Sequence, residues 1–323
     1  MEQIVTLTLN PTIDGAAEAE HVRPIRKVRT WGERYDPGGG GINACRVIQE
    51  LGGSSLAVFL SGGCTGPILE SLVQSAGLRS RPVPIAGNTR ISYTVHDHGS
   101  GQEYRFVPQG PVIQQSEWES CLDVLENCNF QFLLASGSLP RGVPTYFYSR
   151  AAQIARRKGA QFILDTSGEA LKETLKQQHV DLAKPSLGEL EDLIGSKLAT
   201  PAEQEAAAAQ LVRAGLAQMV ALTLGRQGAV LATRDGIWRL EGIAVQPKSA
   251  VGAGDSFLAA MTLALAQEKT AVEAFALGVA AGTAAVMTLG TELCRREDVE
   301  RIYRQIQQSG GPRLVDHTMA WKG

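Results

Sequence analysis

Short apolar runs alternate along the chain with segments whose apolar residues recur at helical spacing. The runs predict buried strands at residues 4–9, 56–60, 132–135, 161–164, 182–183 and 219–224. Helices are predicted at 42–51, 66–76, 145–158, 187–194 and 201–214, and two Ala-rich helices near 254–267 and 271–287 follow a hairpin at 229–242. This alternation predicts a mostly parallel central sheet covered by helices on both faces, a three-layer α/β/α body.

Two segments interrupt this rhythm. Residues 14–35 and 88–107 are richer in charge, Thr and aromatics, and 91–96 alternate between apolar and polar. They predict half-exposed antiparallel strands that form a small, discontinuous β-sheet lid over the α/β body. We expect one domain over 1–309, with residues 310–323, which begin Gly-Gly-Pro, loosely attached.

Charge and composition narrow the class of protein. With 31 Lys and Arg against 33 Asp and Glu, interspersed along 323 residues, no basic surface for nucleic acid or an anionic membrane is indicated. Five cysteines without a CxxC pair are typical of reduced thiols in a cytoplasmic protein. Of these, Cys121 and Cys128 are expected to be buried on one helix.

Two apolar segments are candidates for membrane or export signals, and neither indicates one. The N-terminus has no basic region and too short an apolar run for a signal peptide. Residues 274–291 carry no charge over eighteen positions, near the length of a membrane span. Because most of these residues are Ala, Gly and Thr, they predict a buried, closely packed helix instead.

The strongest chemical signal in the sequence is Val251-Gly252-Ala253-Gly254-Asp255, which leads into an apolar helix. Backbone amides at a helix N-terminus, left bare by glycine, can bind a phosphate or a developing negative charge. Asp255 in that first turn could act there as a general base. Taken alone, the same pattern also fits an ordinary glycine turn with an Asp that complements the helix dipole.

Two further glycine clusters suggest ligand sites. Four glycines, Gly38–Gly41, precede a helix and would permit close approach of a ligand, with Asn43 as a polar contact. They match G-x-G-x-x-A, but no buried strand precedes them, so dinucleotide binding is not favoured. Thr223 lies near the end of the predicted strand 219–224 and is followed by Gly225 and Gly228, which fits either a nucleotide phosphate site or a hairpin turn.

Together these motifs resemble the two signatures of the ribokinase-like carbohydrate kinase family, over about residues 1–307. The similarity is greatest to the phosphofructokinase B branch, of the bacterial 6-phosphofructokinase type. Supporting stretches lie at 6–14, 136–142, 165–170 and 183–185. Gly40 points to the same type, because ribokinases and 1-phosphofructokinases usually carry Lys there.

The resemblance implies a role for each matching position. Asp255 would be the base, and the amides of Gly252, Ala253 and Gly254 the anion hole. Sugar hydroxyls would contact Asp14, Gly39 and Asn43, and the sugar phosphate would lie near Lys27, Arg90, Arg105 and Ser138. Nucleotide contacts would come from Lys184, Ser186, Thr223, Gly225, Gly228, Gly282 and Thr283. Glu189 would hold Mg²⁺ through water, and carbonyls of Ser249, Val251, Ala285, Thr288 and Gly290 would hold a monovalent cation such as K⁺.

The chain departs from the family pattern at two positions. The N-x-x-E that organises Mg²⁺ begins with Ser186 here, and the Thr that commonly precedes the glycine–aspartate signature is Ala250. Neither change removes the base or the anion hole. We therefore expect an active enzyme with an increased demand for Mg²⁺.

The resemblance implies an ATP-dependent kinase that phosphorylates the 1-hydroxyl of fructose 6-phosphate in glycolysis. Tagatose 6-phosphate and fructose 1-phosphate are alternative substrates, and a catalytically impaired regulator that binds nucleotide or sugar phosphate is the alternative of a different class. Exposed lid residues Ile91, Tyr93 and Val95 suggest that two subunits pair through their lids as a homodimer.

Overall fold

The strands form two separate sheets, a large one of ten strands and a small one of four. The computed structural model describes residues 2–316. In chain order the strands are β1 (Glu2–Thr8), β2 (Thr12–Ala19), β3 (Thr30–Gly38), β4 (Leu56–Gly62), β5 (Arg79–Ile85), β6 (Arg90–Asp97), β7 (Gln102–Phe106), β8 (Phe130–Ser136), β9 (Gln161–Asp165), β10 (Val180–Ala183), β11 (Ala217–Thr223), β12 (Gly228–Thr233), β13 (Gly236–Glu241) and β14 (Arg313–Asp316). The helices are α1 (Gly40–Glu50), α2 (Gly66–Ser75), α3 (Gln115–Glu126), α4 (Phe147–Arg157), α5 (Gly168–Gln177), α6 (Leu187–Ile194), α7 (Pro201–Arg213), α8 (Ala253–Ala266), α9 (Ala271–Ala285) and α10 (Arg296–Gln308).

The large sheet has the order β14-β13-β12-β11-β10-β9-β8-β1-β4-β5. The strands from β5 to β11 in this order are parallel, and β12, β13 and β14 extend the sheet in antiparallel fashion. Successive side chains of one strand enter different cores: Val5 and Leu7 pack with α3 to α7, whereas Ile4 packs with α1, α8, α9 and α10. Helices thus cover both faces, and the predicted three-layer body is confirmed.

The sequence pattern located the long helices well. All seven predicted helical ranges coincide with observed helices to within about two residues at each end. Helices α5 and α10 and strand β5 were not predicted. β5 contains Pro82 and Pro84, which argue against a strand in sequence, but it forms the edge of the sheet, where a missing N–H donor is tolerated.

The small sheet has the order β3-β2-β6-β7 and comes from the two segments that the sequence singled out. Its outer pairs are antiparallel, as expected, but its central pair β2 and β6 is parallel, so the prediction of purely antiparallel strands was wrong. Ile91 is exposed and Tyr93 half-buried, whereas Val95 is only 8% exposed. Ala17 and Tyr104 flank Val95 on the neighbouring strands, which corrects its expected exposure.

The segment after α10 is attached to the body more firmly than expected. Residues 313–316 form β14, which pairs with β13 at the edge of the large sheet. The prediction of a loosely attached tail from 310 onward is therefore wrong for these residues, because their backbone groups join the ladder. Residues 317–323 lie outside the described part of the chain.

The uncharged stretch of the sequence forms α9 and the turn after it. α9 is 15 residues long and packs on α8 through small side chains such as Ala280, Ala281 and Ala284, which are fully buried. Within residues 2–316 no helix is both long and apolar enough to cross a membrane. The five cysteines are free thiols; Cys121 and Cys128 are buried as expected, but α3 ends at Glu126, before Cys128.

A buried ion pair fastens α7 to β13. Arg239 Nε donates to Glu205 Oε1 at 2.6 Å, and Arg239 Nη2 donates to Gln204 Oε1 at 3.1 Å. We expect Arg239→Met to lower the free energy of unfolding by about 3–5 kcal/mol, because it leaves the Glu205 carboxylate buried without a cation. Denaturant unfolding measures the change.

The control is the double variant Arg239→Met/Glu205→Leu, which removes both charges and is expected to regain most of the loss. A single variant that unfolds like the wild type would contradict the assignment of this pair as a structural tie.

Candidate active site

Helix α8 begins at the carboxyl edge of the large sheet with a glycine turn. Gly252 is its N-cap and has a φ of 72°, a left-handed conformation that glycine adopts without strain. A Cβ at Gly252 would also lie 2.3 Å from a methyl carbon of Leu293. The first backbone N–H groups of a helix have no acceptor within the helix. The turn therefore presents amide donors beside Asp255, as the sequence predicted.

Asp255 is a half-buried carboxylate with a hydrogen-bond donor beside it. Asn43 Nδ2 donates to Asp255 Oδ2 at 2.9 Å. Burial, together with the negative charge of Asp165, raises the pKa of Asp255 to about 6, while the Asn43 hydrogen bond and the Lys184 charge oppose the rise. Asp255 is thus ionised at neutral pH yet basic enough to accept a proton, which suits a general base.

Lys184 lies between Asp255 and the end of β9. Its Nζ is 3.1 Å from Asp165 Oδ1, and the lysine side chain is only 5% exposed. Burial favours the neutral amine, but the Asp165 carboxylate outweighs burial and raises the pKa of Lys184. A Cβ at Gly254 would stand 3.3 Å from Lys184 Nζ, so the ammonium group lies against the first turn of α8.

The glycine run before α1 packs against the ends of β1 and β8. A Cβ at Gly40 would approach Ser136 Oγ to 2.1 Å, and one at Gly41 would approach the Leu7 carbonyl oxygen to 2.6 Å. Thr8 Oγ1 accepts a hydrogen bond from the Ile42 N–H. These glycines are required for close packing of the chain on itself, a reason that the sequence interpretation, based on ligand approach, did not include.

The small sheet contributes a second carboxylate, Asp14, to the region around the glycine run and Asp255, which we call the corner. The side chain of Asp14 lies against Gly38, where a Cβ would come within 1.9 Å of its Oδ2. Burial raises the pKa of Asp14 to about 6, opposed by a hydrogen bond from the Thr12 side chain and by the charges of Arg90, Arg105 and Arg46. Asp14 also acts electrostatically on Asp255. The predicted sugar contacts Asp14, Gly39 and Asn43 thus surround one corner.

The cations predicted to lie near a sugar phosphate are not all brought together. Arg90 donates to the carbonyls of Asn10, Pro11 and Pro108, which fixes its guanidinium at the start of β6. Arg105 on β7 and Ser138 after β8 are exposed.

Lys27 is separated from these residues within one chain. It is exposed in the loop between β2 and β3, beside a cavity of about 320 Å³ that Arg23, Arg26 and Arg29 also line. Asp14 is near the start of β2, and five residues of strand, roughly 17 Å, separate it from that loop. The grouping of Lys27 with Arg90 is therefore not observed in a single chain.

Five of the seven predicted nucleotide contacts lie at or after the neighbouring ends of β10 and β11, and the other two, Gly282 and Thr283, lie on α9. Ser186 caps α6 in a reciprocal capping box: its N–H donates to Glu189 Oε2 at 2.7 Å, and its Oγ accepts from the Glu189 N–H at 3.4 Å. The Thr223 N–H donates to the Pro185 carbonyl at 3.0 Å. Serine in place of asparagine thus keeps the cap and positions the Glu189 carboxylate.

The two glycines after Thr223 have different roles. Gly228 has a φ of 97°, and a Cβ there would meet the Leu240 carbonyl oxygen at 2.0 Å, so the β11–β12 hairpin requires glycine. Gly225 has a φ of 58° but faces open space, where a ligand could approach. The hairpin interpretation is confirmed, and it leaves Gly225 available for a nucleotide.

The predicted cation loop joins two segments beside α8 and α9. The Lys248 N–H donates to the Val286 carbonyl at 2.7 Å, which brings 249–251 alongside 285–290. Ser249, Val251, Ala285, Thr288 and Gly290 therefore lie on adjacent segments, and the Ala285 carbonyl accepts a hydrogen bond from the Thr288 hydroxyl at 2.7 Å. Backbone carbonyls are oxygen donors of the kind that a hard cation takes. Nearby, a Cβ at Gly282 would lie 3.2 Å from the Ala253 carbonyl oxygen, and Thr283 is half-buried.

The sequence interpretation assigned no role to Asp165 or Arg46. Asp165 directly follows the buried residues of β9, and a charged residue at the carboxyl end of a parallel strand is the signal that could have revealed it. Arg46 follows Asn43 by one helical turn on α1, between Cys45 and Val47, which are both buried. A charge in that apolar surrounding needs partners, and only the structure identifies them.

Comparison with known proteins identifies the family of the chain. A family model described as pfkB family carbohydrate kinase matches residues 12–298. The chain is 45% identical over 303 residues to the ATP-dependent 6-phosphofructokinase isozyme 2 of Mycobacterium tuberculosis, covering 93% of this chain and 89% of that protein. It is 38% identical over 309 residues to the protein of the same name from Escherichia coli, covering 95% and 100%.

Solved structures of phosphofructokinase-2 from Escherichia coli have the same fold. The TM-score is 0.89 for the complex with fructose-6-phosphate, 0.91 for the complex with potassium and 0.90 for the tetrameric inhibited form. Each is 36% identical and covers 95% of this chain and 100% of that chain. The chain therefore belongs to the pfkB family of carbohydrate kinases and has the ribokinase-like fold.

Proposed function

We propose that the protein is an ATP-dependent kinase that phosphorylates the 1-hydroxyl of fructose 6-phosphate. The observation that carries the proposal is Asp255, a half-buried carboxylate next to the amide donors that begin α8. The carboxylate accepts the proton of the sugar hydroxyl, whose oxygen attacks the γ-phosphorus of ATP. ADP leaves, fructose 1,6-bisphosphate is formed, and the amides of Gly252, Ala253 and Gly254 stabilise charge on the transferred phosphoryl group.

The sugar binds, in this proposal, between α1 and the small sheet. Asp14, Gly39 and Asn43 contact its hydroxyls, and Arg90, Arg105 and Ser138 lie near its phosphate. Arginine suits a phosphate because its planar fork can donate two parallel hydrogen bonds. Since Lys27 is at the far end of the small sheet from Asp14, its predicted contact with the phosphate requires a second subunit.

The nucleotide binds, in the same proposal, across the ends of β10 and β11 and the C-terminal end of α9. Lys184 and Ser186 approach the phosphates, Thr223 and Gly225 flank them beside Gly228, and Gly282 with Thr283 admits the adenine. The oxygen donors of Glu189 and its capping box suit Mg²⁺ held through water, and the carbonyl loop at 249–251 and 285–290 suits K⁺. When bound with ATP, Mg²⁺ would neutralise part of the negative charge of the ATP phosphates.

Two alternatives remain within the same chemistry and one outside it. Tagatose 6-phosphate and fructose 1-phosphate present a comparable hydroxyl and phosphate to the corner around Asp14. A regulator that binds without turnover would be expected to lose its base. Here the base is present: Asp255 accepts a hydrogen bond from Asn43 and has a pKa of about 6. Catalysis on fructose 6-phosphate is therefore the function that the site favours, in the cytoplasm, where reduced thiols persist.

Replacement of the base tests the reaction. Asp255→Asn is expected to reduce kcat by about a thousandfold, within the range typical of a lost general base. For the wild type, kcat/KM should fall about tenfold per pH unit below about 6, because Asp255 accepts the proton only when it is ionised. ATP consumption is measured with fructose 6-phosphate, tagatose 6-phosphate and fructose 1-phosphate.

Asp181→Asn is the matched control, because Asp181 is also a partly buried carboxylate with a raised pKa but lies at the opposite end of β10. It should leave kcat unchanged. Tight binding of a sugar phosphate by a wild type that turns over none of the three would show a regulator instead.

The increased requirement for Mg²⁺ that Ser186 predicts can be tested at the capping box of α6. Ser186→Asn restores the family's amide beside Glu189, and we expect half-maximal activity at a severalfold lower free Mg²⁺ concentration. Thr200→Asn is the matched control, since Thr200 caps α7 in the same way with Glu203. A Ser186→Asn variant with the Mg²⁺ titration of the wild type would remove the basis for this prediction.

We propose that two subunits pair through the outer faces of their small sheets. One row across this sheet reads Tyr35, Gly15, Tyr93 and Phe106, and Ile91 lies beside it. Tyr35, Phe106 and Ile91 are 50%, 59% and 42% exposed, so they form an aromatic and apolar face open to solvent. Pairing of two such faces would remove this apolar surface from water.

A charge on that face should separate the subunits. Phe106→Glu is expected to convert a dimer to monomers in sedimentation velocity experiments, because the carboxylate would be buried without a partner. Ile68→Glu on α2 is the control, as Ile68 is also a large apolar side chain, 50% exposed, but lies outside the sheet. A Phe106→Glu variant that sediments like the wild type would contradict pairing through this face.

A further inference from the structure

A chain of polar side chains connects β3 of the small sheet to the base. Asp36 Oδ1 accepts from Arg46 Nη2 at 3.5 Å, and Arg46 Nη1 donates to Asn43 Oδ1 at 3.5 Å. Asn43 Nδ2 in turn donates to Asp255 Oδ2 at 2.9 Å. Asn43 thus lies between Arg46 and Asp255 and makes a hydrogen bond to each of them.

The guanidinium of Arg46 is held in place by several acceptors. Its side chain is 17% exposed, and Nη1 also donates to the carbonyls of Pro37 and Thr291. Asp36 is fixed as well: Arg34 Nε lies 3.0 Å from its Oδ2, and the Thr291 hydroxyl donates to the same oxygen. Arg46 therefore occupies one position between α1, β3 and the segment after α9.

This arrangement decides which way the Asn43 amide points. A guanidinium has donors and no acceptor, so Arg46 can bond only to the amide oxygen of Asn43. The amide nitrogen then faces Asp255 and donates to it. In the reversed orientation the amide oxygen would face the carboxylate, and the NH₂ group would face a cation.

We propose that Arg46 is a positioning residue, which holds the Asn43 amide so that Asn43 donates to Asp255. The inference rests on the proposed function in one respect, namely that Asp255 is the base. Its consequence for catalysis is that Asp255 stays ionised and oriented without direct contact between Arg46 and the reacting atoms.

The test compares Arg46→Met with Arg34→Met. Both variants remove a cation from Asp36, and Arg34 also donates to the Leu289 carbonyl, but only Arg46 contacts Asn43. We expect Arg46→Met to lower kcat at least about tenfold and to raise the pKa of Asp255, read by ¹³C NMR of the carboxyl carbon, by more than about 0.5. Arg34→Met should leave both within error of the wild type.

Other charged groups face Asp255 and must be separated from this effect. They are Asp165 and Lys184 from the large sheet and Asp14 from the small sheet, and Arg46 also acts on Asp14. The test is therefore repeated in the Asn43→Ala background. If Arg46 acts through Asn43, Arg46→Met should change neither kcat nor the Asp255 pKa further there, whereas an effect through Asp14 would persist.

Persistence of the full effect in the Asn43→Ala background, or equal effects of Arg46→Met and Arg34→Met, overturns the proposal. If Arg46→Met does not fold, Arg46→Lys is used, which keeps the charge but loses the fork; it should show the same pKa rise in smaller degree, and an unchanged pKa would overturn the proposal. A wild type without turnover would refute the proposed function, while the NMR titration would still decide the role of Arg46.

Discussion

The structure of the site depends on keeping the half-buried carboxylate of Asp255 ionised. Burial and the negative charge of Asp165 raise the pKa of Asp255 to about 6, and the Asn43 amide and the Lys184 ammonium oppose the rise. Lys184 is itself buried and needs Asp165, 3.1 Å away. Because these four groups come from α1, α8 and the ends of β9 and β10, the carboxyl edge of the large sheet is assembled around their charges.

Close approach of backbone is the second condition for this assembly. Asn43 reaches Asp255 because α1 begins directly against β1 and β8. This approach requires glycine at positions 40 and 41, since any side chain there would clash with Ser136 and Leu7. The small sheet is joined at the same point, since Asp14 lies against Gly38. The glycine run therefore links packing of the body, the small sheet and the candidate base.

Much of this could be predicted from the sequence where the signal is local. Helical spacing located α6 and α8, and the glycine–aspartate signature located Asp255 and its amide donors. The structure adds what depends on neighbours distant in sequence: Val95 lies beside Ala17 and Tyr104, residues 313–316 join β13, and the length of β2 lies between Lys27 and Arg90. No local pattern records which strand lies beside which.

The sequence by itself determined the alternation of strands and helices, the turn before α8 and the residue types that can move a phosphoryl group. These follow from periodicity and backbone freedom, which act over a few residues. Only the tertiary structure decided that Arg46 faces the Asn43 oxygen, that Asn43 faces Asp255 and that Lys184 neutralises Asp165. Those contacts join residues up to about two hundred positions apart, and burial and charge have meaning only once the chain has brought them together.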